Sequence, residues 1–227
     1  MASALVVKLR KFNRVCPIGG YDAEKIRLGV PVVVKTDRGT EIGVIELREG
    51  GSPRSTAQDV KLKKVVRYAT DEDNAKAASL DAKEKDLLAQ AKKKAKEFEL
   101  KIKCVAAEML FEEPHAWVYY AEEDEKKHSQ TRDIAHDLST LWGLKVEFKL
   151  QSQREAAKLI GGMGHCGQTL CCRQWLDRPK HVTVKMVKEQ GLPVNPSKTS
   201  GQCGRLMCCL AYEYDPSQIK SKEGPRK

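Results

Sequence analysis

The sequence predicts an α+β fold: a small N-terminal β-barrel-like module, then an α-β-β-α-β layer, then a cysteine-rich C-terminal region. Three observations predict it. Short apolar runs punctuated by turn residues fill residues 5–67. Helix and strand periodicities then alternate from 74 to 150. Beyond them the pattern G-x-C-G-x-x-[LM]-C-C occurs twice, at 164–172 and 201–209, and takes six of the eight cysteines. The boundaries that follow are 1–70, 71–152 and 153–214, with a polar, frayed tail at 215–227.

In the first segment, Leu5-Val6-Val7 opens a strand. Val32-Val33-Val34-Lys35 and Ile42-Gly43-Val44-Ile45-Glu46-Leu47 form a hairpin, because Asp37 and Gly39 between them suit a tight turn. Residues 61–67 supply a fourth strand, and short strands around tight turns favour an SH3-like or barrel-like module. Cys16, before Pro17, is placed in a loop with a structural role. Residues 49–55 read as a flexible loop.

In the second segment, Leu80, Leu87, Leu88, Ala91, Ala95, Phe98 and Ile102 line one stripe of a helix over 74–102. The lysines at 92, 93, 94 and 96 fit a solvated helix face better than a phosphate-binding patch. Residues 104–111 and 116–121 make a hairpin about the polar turn at 112–115, with Cys104 buried. A helix from about Gln130 to Trp142 points Ile134, Leu138, Leu141 and Trp142 inward, and Gly143 stops it. Residues 144–150 alternate apolar and polar, as a half-buried strand does. This order places the helices on one face of a mainly antiparallel sheet. His128 and His136 are read as surface or cap residues.

In the third segment, a short helix over 155–160 ends at the glycines before Cys166. Residues 173–176 read as helix, and 181–187 fit strand and helix equally. Residues 193–201 form a turn-rich loop that delivers the second cysteine block.

The net charge of +10 is unevenly spread: +7 over 1–70, −4 over 71–150 and +7 over 151–227. Such a balance permits a nucleic-acid or acidic-protein partner, and Lys185, Lys188, Lys198 and Arg205 are the candidate nucleic-acid contacts. No apolar run approaches the ~18 residues of a membrane span. The N-terminus lacks a signal-peptide core. Both point to a cytoplasmic protein, where paired cysteines are more often metal ligands or redox thiols than structural disulfides. No P-loop, dinucleotide fingerprint or catalytic triad favours an enzyme.

Thiolates are soft ligands, and sets of four bind zinc or iron–sulfur clusters. The candidates are Cys166, Cys171, Cys172, Cys203, Cys208 and Cys209. Neighbouring side chains diverge by about 100° on a helix and point oppositely on a strand. Each adjacent pair therefore need not place both sulfurs on one metal. Two arrangements stay open. Each block gives two ligands to one self-contained site, or each gives up to three to a site that a partner or small ligand completes. His165 is a further possible ligand. Arg173 and Arg205 are placed to lower thiolate pKa values or to bind phosphate. The competing readings of the six cysteines are buried small hydrophobes or redox disulfides.

The residues at 158–164, Cys166-Gly167, Leu170-Cys171-Cys172, Asn195-Pro196-Ser197-Lys198 and the run at 200–210 together resemble the bacterial RicT/YaaT family. So does the hairpin at 35–43. Members are built on the conserved C-terminal region of the polymerase-suppressor protein. The resemblance implies a cytoplasmic regulatory subunit, not an enzyme. It implies two small partner proteins, a complex carrying [4Fe–4S] clusters, a role in sporulation, competence and biofilm development, and RNA maturation by ribonuclease Y. It makes the six cysteines ligand candidates. The alternatives are a zinc-stabilised nucleic-acid-binding module and a thiol redox protein.

Overall fold

The computed structural model describes residues 4–12, 14–19, 27–48, 62–122, 130–176 and 179–215. The loop read at 49–55, His128 and the tail beyond 215 lie outside the described residues. The chain divides into two compact units, Met1–Leu150 and Gln151–Lys227.

The first unit opens with β1 (Ala4–Leu9), β2 (Val15–Pro17), β3 (Pro31–Thr36), β4 (Gly39–Arg48) and β5 (Lys64–Tyr68), in the order β2-β1-β4-β3-β5. All pairs are antiparallel. The two-residue turn forms as read. Thr36 pairs with Gly39, and the Thr36 hydroxyl accepts from the Arg38 amide (3.2 Å) and donates to the Gly39 carbonyl (3.0 Å). Val7, Leu9, Ile18, Val32, Val34 and Ile45 form the core of this sheet.

Among the described residues the ladder does not close into the barrel-like module of the sequence reading. Its end strands β2 and β5 do not pair as strands; Ile18 and Lys63 make one isolated parallel bridge instead. A register shift between Val33 and Val34 interrupts the β3–β5 ladder. Cys16 is also corrected: it lies in β2, opposite Val7, and not in a loop. Its neighbour Val15 favours extended backbone, and the ladder of β1 extends it.

Next come α1 (Asp71–Glu97), β6 (Ile102–Met109), β7 (His115–Glu122), α2 (Gln130–Trp142) and β8 (Lys145–Leu150). Thr70 caps α1 in a capping box with Asp73. The helix ends five residues earlier than its periodicity predicts. Phe98 is the C-cap, 41% exposed, Glu99 takes a positive φ of 50°, and Ile102 is the first residue of β6. Pairing with β7 decides the state of Ile102 against the helical spacing. The sheet order is β6-β7-β8, antiparallel then parallel, so it is mixed and not mainly antiparallel. The crossover through α2 makes β8 run parallel to β7.

Both helices bury the same face of this sheet, with Leu80, Leu87, Ala91, Ile134 and Leu138 against Cys104, Val118, Tyr120 and Val146. Leu141 is corrected: it is 67% exposed. The apolar face of α2 centres between Leu138 and Trp142, whose indole donates to Gln90 Oε1 at 2.7 Å.

Four carboxylates are buried in this unit, Glu41, Asp73, Glu84 and Glu108, and arginines of the first sheet and the segments joining its strands meet them, Arg38 at Glu41 and Arg67 at Asp73 among them. Glu84 accepts from Arg10 (3.0 Å) and from the Met109 amide (2.7 Å). Glu108 accepts from the Tyr119 hydroxyl (2.6 Å), Arg38 (2.9 Å) and Arg14 (3.1 Å).

The second unit holds α3 (Gln153–Ile160), α4 (Cys171–Gln174), α5 (Val184–Glu189), α6 (Pro196–Thr199) and α7 (Cys208–Glu213) around Val182, Val187, Leu210 and Ala211. The helix expected over 173–176 starts two residues earlier and ends at Gln174. The undecided stretch 181–187 becomes helical from Val184, where the Thr183 hydroxyl caps it. The loop expected over 193–201 contains α6, with Asn195 as cap and Pro196 at the first position.

Candidate metal centre

The two cysteine blocks fold alike. Met163 bridges Thr169, and Ser200 bridges Leu206. The Gly164 amide donates to the Gln168 carbonyl at 2.8 Å, and that of Gly201 to Arg205 at 2.8 Å. Within each loop a second bond closes the turn: Gly167 to Gly164 (3.0 Å) and Gly204 to Gly201 (2.9 Å). Gly167 and Gly204 take left-handed φ values of 75° and 73°, which a side chain would resist. Leu170 donates to Gly162 and Met207 to Thr199, and each of these residues then caps the short helix that follows. Every one of these pairs is offset by the 37 residues that separate the blocks.

The equivalence continues into α4 and α7, which pack on each other. Trp175 and Tyr212, 37 residues apart, meet edge to face with ring centroids 4.4 Å apart. A position that meets its own equivalent is the mark of a two-fold relation. The unit therefore resembles a dimer fused into one chain.

Cys171 and Cys208 begin the two packed helices, with Cys172 and Cys209 next to them. Cys172 is buried, Cys171, Cys203, Cys208 and Cys209 are half-buried, and Cys166 is exposed. All six are free thiols, so no disulfide joins the blocks.

Burial pushes the Cys208 thiol up to about 11, and Cys171, Cys172 and Cys209 add to the shift, while Arg154 opposes it. Burial also raises Cys172, with Lys158 pulling the other way and Cys203 and Cys171 adding. Cys209 is raised by burial, then by Glu213 and Cys171. These interactions form a chain through five of the six candidates, with Cys203 joined through Cys172. Among the described residues, no three His, Cys, Asp or Glu side chains converge on one ion-sized point.

Arg173, read as a cation near the thiols, reaches the backbone before the first block. Its guanidinium donates to the carbonyls of Lys158 (3.3 Å) and Leu159 (2.9 Å), at the end of α3. The cation at Cys208 is Arg154, which the sequence reading missed; it also donates to the Leu206 carbonyl at 3.2 Å. Nothing local in the sequence marks it, because its partner lies 52 residues away. His165 is exposed. Lys185 and Lys188 on α5, Lys198 on α6 and Arg205 in the second loop are all exposed, and Lys185 lies 3.7 Å from Glu189. No helix among the described residues is long and apolar enough to cross a membrane.

Two family patterns match the chain. The PSP1 C-terminal conserved region matches residues 63–150, and the third domain of PSP1-like proteins matches residues 181–222. Stage 0 sporulation protein YaaT of Bacillus subtilis (strain 168) is 33% identical over 199 residues, covering 86% of this chain and 69% of that protein. No solved structure matches. With that identity over most of both chains, and with two PSP1 patterns in their order along the sequence, the chain belongs to the YaaT/RicT family of PSP1-like proteins.

Proposed function

We propose that this chain is a non-enzymatic regulatory subunit, cytoplasmic, whose paired cysteine loops hold an iron–sulfur cluster of the [4Fe–4S] type together with small partner proteins. The observation that carries the reading is the approach of α4 and α7, each opening on an adjacent pair of cysteines. The donor set is soft, as such a cluster requires. Cys171, Cys172, Cys208 and Cys209 would be the inner ligands, and Cys166 and Cys203 those nearest the rim. A bound cluster supplies a redox-active, oxygen-sensitive centre. The chain's own part is to present the thiols, and to release their protons as they become ligands. Ligands from a partner would complete a set that does not converge within this chain.

The relative's name associates it with stage 0 of sporulation. We carry that over as a role in developmental signalling, and with it an action on RNA processing of the ribonuclease Y type. Anaerobic purification with an absorption spectrum and iron, sulfide and zinc analysis tests the cluster. Iron and sulfide with a broad visible band, both lost in Cys171→Ala and Cys208→Ala, support it. A colourless zinc protein would favour the second reading, a zinc-stabilised nucleic-acid-binding module using the exposed Lys185, Lys188, Lys198 and Arg205. Neither metal, with reversible disulfides, would point to a thiol redox protein.

A further inference from the structure

The first unit contains a cavity of about 340 Å³ between α1, the turn joining β6 to β7, and the end of α2. That is within the usual size range of small-molecule sites. Its apolar lining includes Leu80 and Phe111, both buried, and the half-buried Trp142 and Leu144. Lys76 and Lys83 flank Leu80 on the α1 wall.

Two lysines and two glutamates line this cavity. The ammonium of Lys76 lies 4.8 Å over the Phe111 ring, and neither lysine pairs with a carboxylate among the described residues. Two carboxylates line the cavity from the turn between β6 and β7. Glu112 faces Arg67 at 3.6 Å. The Glu113 carboxylate lies against the β3–β4 turn, where a Cβ on Gly39 would sit 2.6 Å from its Oε1. A concave apolar lining with two lysines on one wall, neither in an ion pair among the described residues, is suited to a ligand with a flat apolar body and a negative group. A neutral apolar ligand would leave the lysines unused, and a small inorganic anion would leave the apolar walls uncovered.

We infer that this cavity binds a small organic anion, an aromatic carboxylate or an aromatic phosphate ester, with its ring against Phe111 and Trp142 and its charge between Lys76 and Lys83. The site is separate from the cysteine loops and does not depend on a cluster. Calorimetric titration of the full chain with 1-naphthoate and, separately, with adenosine monophosphate tests it, and the two arms distinguish a carboxylate from a phosphate ester. The expected result is one-to-one binding of at least one probe with a sub-millimolar Kd. The K76A/K83A variant should weaken it about tenfold or more, the loss of roughly 1.4 kcal/mol of charge-assisted contact. K92A/K93A removes the same charge from α1 outside the cavity and should change Kd less than about twofold, since distant exposed charges are screened. Leu144→Trp fills the cavity while keeping both lysines, and should abolish binding. The inference is overturned if neither probe binds, or if K92A/K93A weakens binding as much as K76A/K83A, or if Leu144→Trp leaves Kd unchanged in a protein whose thermal unfolding is unaltered.

Discussion

Trp175 and Tyr212 occupy the same position of two successive repeats, and their rings touch at 4.4 Å. The contact ties α4 to α7 at the end opposite the cysteines. It makes the spacing of the two cysteine pairs depend on an aromatic contact that touches no candidate ligand.

Trp175→Ala and Tyr212→Ala are each expected to destabilise the second unit, and the two losses should not add. A double-mutant cycle by denaturant unfolding should give a coupling of about 0.5–1.5 kcal/mol, the usual worth of an aromatic pair beyond its area. Additive losses would mean that the rings meet without supporting each other.

Glu108 receives Arg14, Arg38 and Tyr119 in a buried position. Glu108→Ala removes the carboxylate shared by two guanidinium groups and a hydroxyl, and leaves Arg38 with Glu41 and Arg14 with the Tyr119 hydroxyl. The expected loss is about 3–5 kcal/mol, typical of removing one partner from a buried ion pair. Chemical denaturation of the first unit, followed by circular dichroism, measures it. A loss under about 1 kcal/mol would place the network on the solvent side of the interface.

Burial pushes the Cys104 thiol up to about 11 from an ordinary value of 9.0, and Lys92 opposes the shift slightly. The thiol is the neutral form, so the folded state holds its proton more tightly than the unfolded state. The associated stability is complete below about pH 9 and is lost as pH rises toward 11. Alkaline denaturation should therefore be shallower in Cys104→Ala. At pH 8 a disulfide reagent should modify exposed Cys166 at once and Cys104 only on unfolding.

Cys172, Cys208 and Cys209 are all held above the ordinary thiol range, chiefly by burial. A metal takes the thiolate, so each ligand must lose a proton that the apo protein retains. Apparent affinity for iron or zinc should rise with pH between 7 and 9, with proton release on loading. Chelator competition at the two pH values, run in buffers of different ionisation enthalpy, checks both the trend and the proton count. A pH-independent affinity would mean that other groups hold the metal.

The hairpin at Asp37–Gly39, the helix over residues 130–142 and the two cysteine blocks were legible because each is written in residues close together. A turn needs its own glycine, and a repeat declares itself by spacing. The burial of Glu84 and Glu108 was not legible, because their cations come from 74 and 70 residues away. Ile102 continues a helical stripe yet begins a strand, since pairing with Glu122 outweighs local periodicity. In the candidate centre, the repeat spacing alone names the six cysteines as candidates. Their two-fold pairing was not legible, because it rests on Trp175 meeting Tyr212, a contact that no local pattern encodes.

The links from Arg10, Arg14 and Arg38 have a consequence for autonomy. The conserved region matched at 63–150 includes Glu84 and Glu108 but none of these three arginines. Excised at that boundary, it would keep two carboxylates in an apolar setting with their counter-charges removed. The evolutionary unit and the folding unit therefore differ: the segment that recurs among relatives depends for its solvation on the connections between strands that precede it.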